Sequence, residues 1–556
     1  MRTHYPRTPH LPWSPGATSD DVRLADLAGL TGSQVVVTEK LDGENTTLYA
    51  DGLHARSLDS AHHPSRGRVK ALQSRIGPRV PAGWRICGEN MFARHSIPYE
   101  DLASHFYGFS VWEGQVCLDW DRTVDFLRNL GIPTPRVLWR GVFDARAEKA
   151  LRALELDRER QEGYVVRPAE AFPAAAFKRR VAKWVRPGHV TTDTHWMHAE
   201  VVENGLGPAA ALWAVRSGAP VDPAALSLAT GAGPGDAPAA RATADALDAR
   251  DRAGDDRLAG VLAALLHRTR RAALAPALAG LLGMPLARRV ADLVGLYPAL
   301  HRPYPDEERH GGLARMSLAA DLTVLHALAG ALAEGPETRE QVEWSALHAQ
   351  DVAEPDGLPE AFAGLEPDAA DRCLAQAREA YARGRVSTAE EAVGATWRWR
   401  SGAFPSLIHL VGPSGSGKST FGRGLPGIAT YLSLDDLRAS RGSRADQSAN
   451  ADVLREGLRR LDAALVPGAT VVWDATSLNP HQRSLVHAVA HRRDALITHA
   501  VAWVGADELT ARNGRRAHPV PPDVLASQLR RFVPPYPGQA HRTWYIGPSG
   551  TVEDRA

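Results

Sequence analysis

The apolar run Val35-Val36-Val37 leads straight into Thr38-Glu39-Lys40-Leu41-Asp42-Gly43-Glu44-Asn45, a K-x-D-G-x-N pattern. A lysine at a strand end, followed by an Asp-Gly turn, presents a primary amine to whatever binds beside it. An amine attacks phosphorus only when unprotonated, so Lys40 is expected to have its pKa lowered by burial or by nearby cations. Candidate cations lie in Phe177-Lys178-Arg179-Arg180-Val181-Ala182-Lys183-Trp184. Read as a strand, this segment puts Lys178 and Arg180 on one face, where they could hold a triphosphate. Glu162 opens the segment EGYVVRP and Glu89 sits in CGEN. Carboxylates in such a site bind ribose hydroxyls or hold a hydrated Mg²⁺. The stretch Phe106-Tyr107-Gly108-Phe109-Ser110-Val111-Trp112 offers aromatic faces to a purine.

A second phosphate chemistry is written far downstream. Gly412-Pro413-Ser414-Gly415-Ser416-Gly417-Lys418-Ser419, followed by Thr420, is a complete P-loop between an apolar strand and a helix. Its amides would cradle a β-phosphate, Lys418 would reach the β and γ oxygens, and Ser419 would hold Mg²⁺. Asp435, at the end of the short strand TYLSL, can deprotonate a hydroxyl, and Arg438 three residues on can hold a neighbouring phosphate. Asp474 ends VVWD. Arg512 and Arg516, four apart on an expected helix face, make a lid able to clamp phosphates.

The surrounding elements set the organisation. At 556 residues the chain should hold roughly three to four domains. With 44% hydrophobic and 23% charged residues it has an ordinary globular composition. The net charge is +1, so any nucleic-acid surface must be local. Cys87, Cys117 and Cys373 are far apart, which indicates neither a disulfide framework nor a zinc knuckle. The N-terminus is polar and proline-rich, and no aliphatic run reaches membrane-spanning length, so a reducing cytoplasm and no membrane are expected. Residues 1–205 read as an α+β domain, and 206–255, rich in Gly, Pro and Ala, as a linker. Residues 256–400 carry Ala and Leu at helical spacing and read as a helical middle domain. Residues 401–556 alternate strands and helices, a parallel-sheet α/β domain. Within 191–198, His195 and His198 have a metal-ligand spacing but no further ligand in view, and structural roles are expected for them.

Taken in order, K-L-D-G-E-N, A-R-S, G-E-N, F-Y-G-F-S-V, E-G-Y-V-V-R-P and K-R-R-V-A-K-W resemble the nucleotidyltransferase motifs of ATP-dependent RNA ligases, an ATP-grasp-like ligase fold, over roughly the first 200 residues. Each piece alone is an ordinary turn, core strand or charged face; the ordered set is specific. The resemblance implies that Lys40 becomes adenylylated. It implies nucleotide-site roles for Glu39, Asp42 and Asn45, and contacts from Arg56 and Glu89 to the nucleotide or the nick. It further implies Glu162 on metal or ribose, an aromatic such as Phe106 or Phe109 on adenine, and Lys178 and Lys183 on phosphate. Arg180 stands where the phage-type enzymes usually have a second lysine, which keeps the charge but changes the geometry. Asn45 favours an RNA ligase, since DNA ligases and capping enzymes usually have arginine there.

Residues 405–535 resemble the phage-type 5′-OH polynucleotide kinases through D-D-x-R, D-x-T-x-L-N-P and R-N-x-x-R. That resemblance implies Asp435 as general base, Arg438 on the phosphate next to the acceptor nucleoside, and Arg512 and Arg516 as lid residues. Asp474 is either a Walker-B-like carboxylate or an organiser of the substrate pocket. In the middle region His267-Arg268 resembles the His-Asp pair of HD phosphohydrolases, with arginine in place of the aspartate. A cation cannot ligate metal, and His310, Asp321 and His326 form no legible ligand set. The expectation is a bifunctional enzyme of RNA end repair that uses ATP or another NTP with Mg²⁺ or Mn²⁺. Its partners would be RNA ends or nicked duplex, with a separate 3′-end phosphatase or phosphoesterase. DNA end repair by the same chemistry and a non-catalytic nucleotide-binding RNA sensor are the alternatives.

Overall fold

The computed structural model describes all residues except 1, 20, 59–62, 158, 189–199, 441–449 and 517–518. His195 and His198 therefore lie outside the described residues. The chain divides into two compact units, 1–235 with 247–258, and 236–246 with 259–556.

The first unit is built on two antiparallel sheets. Among the described residues its strands are β1 (Gln34–Lys40), β2 (Glu44–Tyr49), β3 (Gly52–Ala55), β4 (Trp84–Asn90), β5 (Phe106–Glu113), β6 (Val116–Cys117), β7 (Val137–Val142), β8 (Gly163–Pro168), β9 (Phe172–Pro173) and β10 (Ala182–Val185). One sheet has the order β10-β8-β1-β7 and the other β3-β2-β4-β5-β6-β9. Val35, Val36 and Val37 of β1 are fully buried, the burial expected of a β-branched run in a central strand. Cys87, Trp112, Cys117, Phe172, Phe177 and Val181 form a core cluster joined by Phe109 and Val165, which ties strands of both sheets together.

The segment expected as one strand after Phe177 is divided. Phe177–Arg180 is a single helical turn, and only Ala182–Val185 is strand. A helical turn sends Lys178 and Arg180 to different sides, so the shared face does not exist. The stretch expected as a linker also differs. Ala210–Arg216, Pro223–Thr230 and Ala237–Asp248 are helices. The breakers there are caps. Asp222 accepts from the Ala224 and Ala225 amides, Pro223 takes the first helical position, and Gly231 ends the helix at φ 64°. Arg257 anchors this region by donating to the Asp248 carboxylate and to the Val215 carbonyl at 2.7 Å.

The second unit holds the helical region and the Gly-rich loop. Its strands are β11 (Ser406–Val411), β12 (Thr430–Ser433), β13 (Thr470–Asp474), β14 (Leu496–Ala502), β15 (Arg542–Ile546) and β16 (Val552–Arg555), in the order β12-β13-β11-β14-β15-β16. All pairs are parallel except the last. Helical and sheet parts share a buried network of four ionic side chains. Asp292, fully buried, accepts from Arg271 and, at 2.8 Å, from Arg288, which also pairs with Asp554. Asp292→Asn keeps the shape but leaves two buried guanidiniums short of charge. It should lower the unfolding free energy of this unit by about 3–5 kcal/mol, read as a lower urea midpoint. An unchanged midpoint would show that Arg288–Asp554 suffices.

The histidine–arginine pair of the middle region is bound up in packing. His267 and Arg268 both meet Asp236, at 3.2 and 3.4 Å. Asp321 caps a helix by accepting from the Val324 amide, His326 contacts Ser345 Oγ at 3.0 Å, and the His310 ring lies against Tyr381. Among the described residues these groups form no metal-ligand cluster. No helix among the described residues is long and apolar enough to cross a membrane.

Candidate active sites

Lys40 ends β1 opposite Gly163 of β8. Glycine is required there because a Cβ would run into the Trp184 carbonyl of the next strand. The turn after Lys40 is equally tight. A Cβ on Gly43 would come within 2.6 Å of the Asn90 carbonyl. Beyond the turn, Asn45 on β2 pairs with Glu89 on β4. The strand ends thus line a cavity of about 830 Å³ that receives Glu39, Lys40, Asn45, Arg56, Glu89, Phe109 and Lys183. Glu162 reaches the site through an ion pair with the Lys40 ammonium.

The electrostatics reverse one expectation. Burial, the largest single influence, pulls the Lys40 pKa down, but Glu162, Glu89 and Asp42 together outweigh it and hold the amine above its ordinary value. Carboxylates, not cations, dominate the surroundings of this amine. Glu89 is pushed up to about 8 by burial, relieved by Lys40 but reinforced by the Glu162 and Asp42 charges. Burial also raises Glu39. Lys183 is lowered, first by burial and next by the Lys40 charge, with Arg56 contributing. A site crowded with hard oxygen donors beside cations suits a nucleotide with a divalent ion.

Several expected residues stand elsewhere. The Asp42 carboxylate accepts from the Ser96 and Ile97 amides at 2.8 and 3.1 Å, so it organises the loop behind the turn. Phe106 is 1% exposed and packs in the core with Leu48, Ile86 and Leu127, so of the two phenylalanines Phe109 is the one at the cavity. Lys178 is exposed. Arg180 is ion-paired to Glu170 and donates to Ser33 Oγ at 3.1 Å. Neither of these two cations lines the cavity, because the helical turn carries them off the strand. Sequence reasoning missed the buried Glu44–Arg66 pair, the N-terminal residues His4 to Thr8 and His95, all of which line the cavity. Only the position of Glu44 inside the K-x-D-G-x-N run gave a signal.

In the second unit the loop after β11 is shaped by glycines that only glycine can serve. Gly412, Gly415 and Gly417 have φ 149°, 83° and 90°. The Ser414 amide donates to Gln528 at 2.8 Å. Lys418 and Ser419 open the helix Lys418–Arg423, with Thr420 exposed beside them and Ser416 buried at the turn. Lys418 is nearly buried, and burial lowers its pKa; the Asp474 and Asp435 charges oppose that and Arg516 adds to it. Lys418, Asp474, Asp435 and Arg516 thus share one electrostatic neighbourhood. Asp474, at the end of β13, is register-paired to Leu410 of β11 and accepts from Tyr431 at 2.8 Å. Asp435 is ion-paired with Arg438. Arg512 reaches the loop itself, donating to the Ser416 carbonyl at 3.4 Å, and pairs with Glu508 at 2.6 Å. The helix carrying it stops at Gly514, so Arg516 lies past the helix end and the two arginines do not share a helical face.

Together these place a partly buried lysine beside a carboxylate-lined cavity in one unit and a Gly-rich P-loop in the other. Residues 33–185 match the RNA ligase family, and residues 407–535 match an AAA domain family. No curated protein matches the chain. Similar solved structures include Kti12 from Chaetomium thermophilum with ADP-AlF3, at 19% identity over 25% of this chain and 88% of that one, TM-score 0.22. A lysine-to-alanine mutant of Naegleria gruberi RNA ligase with ATP and Mn matches at 16% identity over 29% and 52%, TM-score 0.22. An archaeal ATP-dependent RNA ligase matches at 16% identity over 33% and 48%, TM-score 0.24. The chain spans about half the length of these RNA ligase structures. The two matched domains support nucleotide-dependent RNA end joining.

Proposed function

We propose that this chain heals and seals RNA ends. The P-loop unit transfers the γ-phosphate of ATP, or another NTP, to a 5′-OH end, and the Lys40 unit joins that 5′-phosphate to a 3′-OH. The observation that carries the reading is the Lys40 amine at a cavity lined by Glu39, Asn45, Glu89 and Lys183 within a domain that matches RNA ligases.

In the first step Lys40 loses a proton to Glu162, already its ion-pair partner, and attacks the α-phosphorus of ATP. The N–P bond forms, the bond to the bridging oxygen breaks, and pyrophosphate leaves. Lys183 and Arg56 offset charge on the departing phosphates. AMP then passes to the RNA 5′-phosphate, and the 3′-OH displaces it to form the phosphodiester. In the second unit Asp435 takes the proton of the 5′-OH as the γ-phosphate transfers, while Lys418 and Arg512 neutralise phosphate oxygens. Glu162 and Glu89 in one unit, and Ser419 in the other, would hold Mg²⁺ or Mn²⁺, which supplies further neutralisation of phosphate charge.

The raised Lys40 pKa has a kinetic consequence. Covalent labelling by α-labelled ATP should climb with pH above neutrality, by up to about tenfold per unit while the ammonium dominates. Glu162→Gln removes the largest of the influences that raise this pKa. It should lower the maximal rate yet shift the rising limb toward acid. A limb left in place, or moved toward alkali, would show that Glu162 does not govern the amine. RNA as acceptor is tested by offering matched 5′-OH RNA and DNA strands with γ-labelled ATP; a preference for DNA would overturn it.

A further inference from the structure

We propose a transition-metal site of three imidazoles, His409, His487 and His499, at the root of the Gly-rich loop in the second unit. It takes a borderline divalent ion of the Zn²⁺ class and stands apart from the oxygen-ligand sites for catalytic Mg²⁺.

The three rings come from separate elements. His409 is on β11, His499 stands in register with it on the neighbouring β14, and His487 is on the helix Pro480–Arg492 packed against them. Each offers a ring nitrogen, and these nitrogens lie within 4.8 Å of one another. Among the described residues this is the grouping of histidine, cysteine or carboxylate that meets such a distance. A tetrahedral zinc with Zn–N bonds of about 2.0–2.1 Å needs nitrogens about 3.3 Å apart, so the His487–His499 pair, at 2.9 Å, must open slightly and His409 must draw in, adjustments that side-chain rotation can supply.

The strands around these rings are otherwise close to a continuous apolar run, with Leu407, Leu410 and Val411 on one and Leu496, Ala500 and Val501 on the other fully buried. A buried histidine ordinarily has both ring nitrogens occupied. Here His409 and His499, at 0% and 1% exposure, each keep an Nδ1 with no hydrogen-bond partner. His487 and His499 face each other Nε2 to Nε2 at 2.9 Å, their rings stacked at 27°. That contact needs a proton on one nitrogen and a lone pair on the other; a metal ion would take lone pairs from both.

The His409 ring is oriented by Ser477 Oγ, 2.8 Å from its Nε2, which is the kind of outer contact that fixes a ligating imidazole. Burial, together with neighbouring imidazoles and the Arg483 guanidinium, keeps all three rings neutral, and neutral imidazole is the ligating form. Arg483 itself donates to the Ser477 and Val533 carbonyls. His409 lies just before Val411 and Gly412. An ion here would brace β11, β14 and the helix behind them, and so would fix the base from which the loop springs.

The test uses the full chain, stripped of metal and held in excess Mg²⁺ so that oxygen-ligand sites are filled. Titration with Co²⁺ should give one equivalent with the visible ligand-field bands of a four-coordinate site of three imidazole nitrogens and a water, discharged by Zn²⁺. Zn²⁺ alone should raise the melting temperature of the wild type. His487→Gln, on a half-buried position, and His499→Asn should each lose the bands and the Zn²⁺-dependent rise. If His499→Asn does not fold, His487→Gln carries the comparison, its folding checked by circular dichroism and by a cooperative thermal transition in the metal-free state. A wild type without the bands, or a His487→Gln chain that binds Co²⁺ as tightly as the wild type, would overturn the site. So would loss of the bands in a His195→Ala, His198→Ala chain that keeps all three imidazoles.

Discussion

Lys40→Arg should leave a folded chain that takes no label from α-labelled ATP, with incorporation down by at least about 10³-fold. Arginine preserves the positive charge that faces Glu162, which is nearly buried and would otherwise be left without its counter-ion. A guanidinium is always protonated and cannot attack phosphorus. Lys40→Ala should lose the label equally but also unfold at a lower temperature, because the Glu162 carboxylate is then stranded. The two variants together separate the nucleophile from the ion pair. Neither change touches the attack of a 3′-OH on an end already carrying AMP. Both variants should therefore still seal pre-adenylylated RNA. Label retained in Lys40→Arg would mean that another nucleophile accepts AMP.

Lys418→Ala should reduce transfer of the γ-phosphate to a 5′-OH end by about 10²–10³-fold, the usual effect of removing a charge aimed at a transferring phosphoryl group. Lys418 is nearly buried and feels the Asp474 and Asp435 charges, so the loss also changes the balance of charge at the loop. Covalent labelling at Lys40 should survive, since that chemistry belongs to the other unit. The assay pairs γ-labelled ATP on 5′-OH RNA with α-labelled ATP on the protein alone. Loss of both signals would show that the two chemistries are not separable as proposed.

The parts legible in the sequence are those whose geometry is local. The K-x-D-G-x-N run implies a strand, a tight turn and the next strand, and the cavity between the strand ends is lined by Lys40, Asn45 and Glu89. The Gly-rich loop was equally readable, because three positive-φ positions demand glycine. Errors arose where long-range packing decides. Phe106 and Phe109 are three apart on one strand, and only the fold reveals that one faces the core and the other the cavity. Lys178 and Arg180 were placed by assuming a strand where one helical turn stands. Gly and Pro between 218 and 235 suggested a linker, yet there they cap helices whose alanines bury without a strong apolar pattern. The charge around Lys40 was misjudged for a related reason. Glu162 and Glu89 come from distant strands, and their joint effect on the amine exists only once those strands meet.

The most direct test offers the wild-type chain a nicked RNA duplex with 5′-OH and 3′-OH termini, together with γ-labelled ATP and Mg²⁺. The expected product is a sealed strand whose junction phosphate carries the label, with ADP, AMP and pyrophosphate released. An RNA recovered with its nick open and its 5′ end still a hydroxyl, while the protein remains free of AMP, would contradict the proposed function.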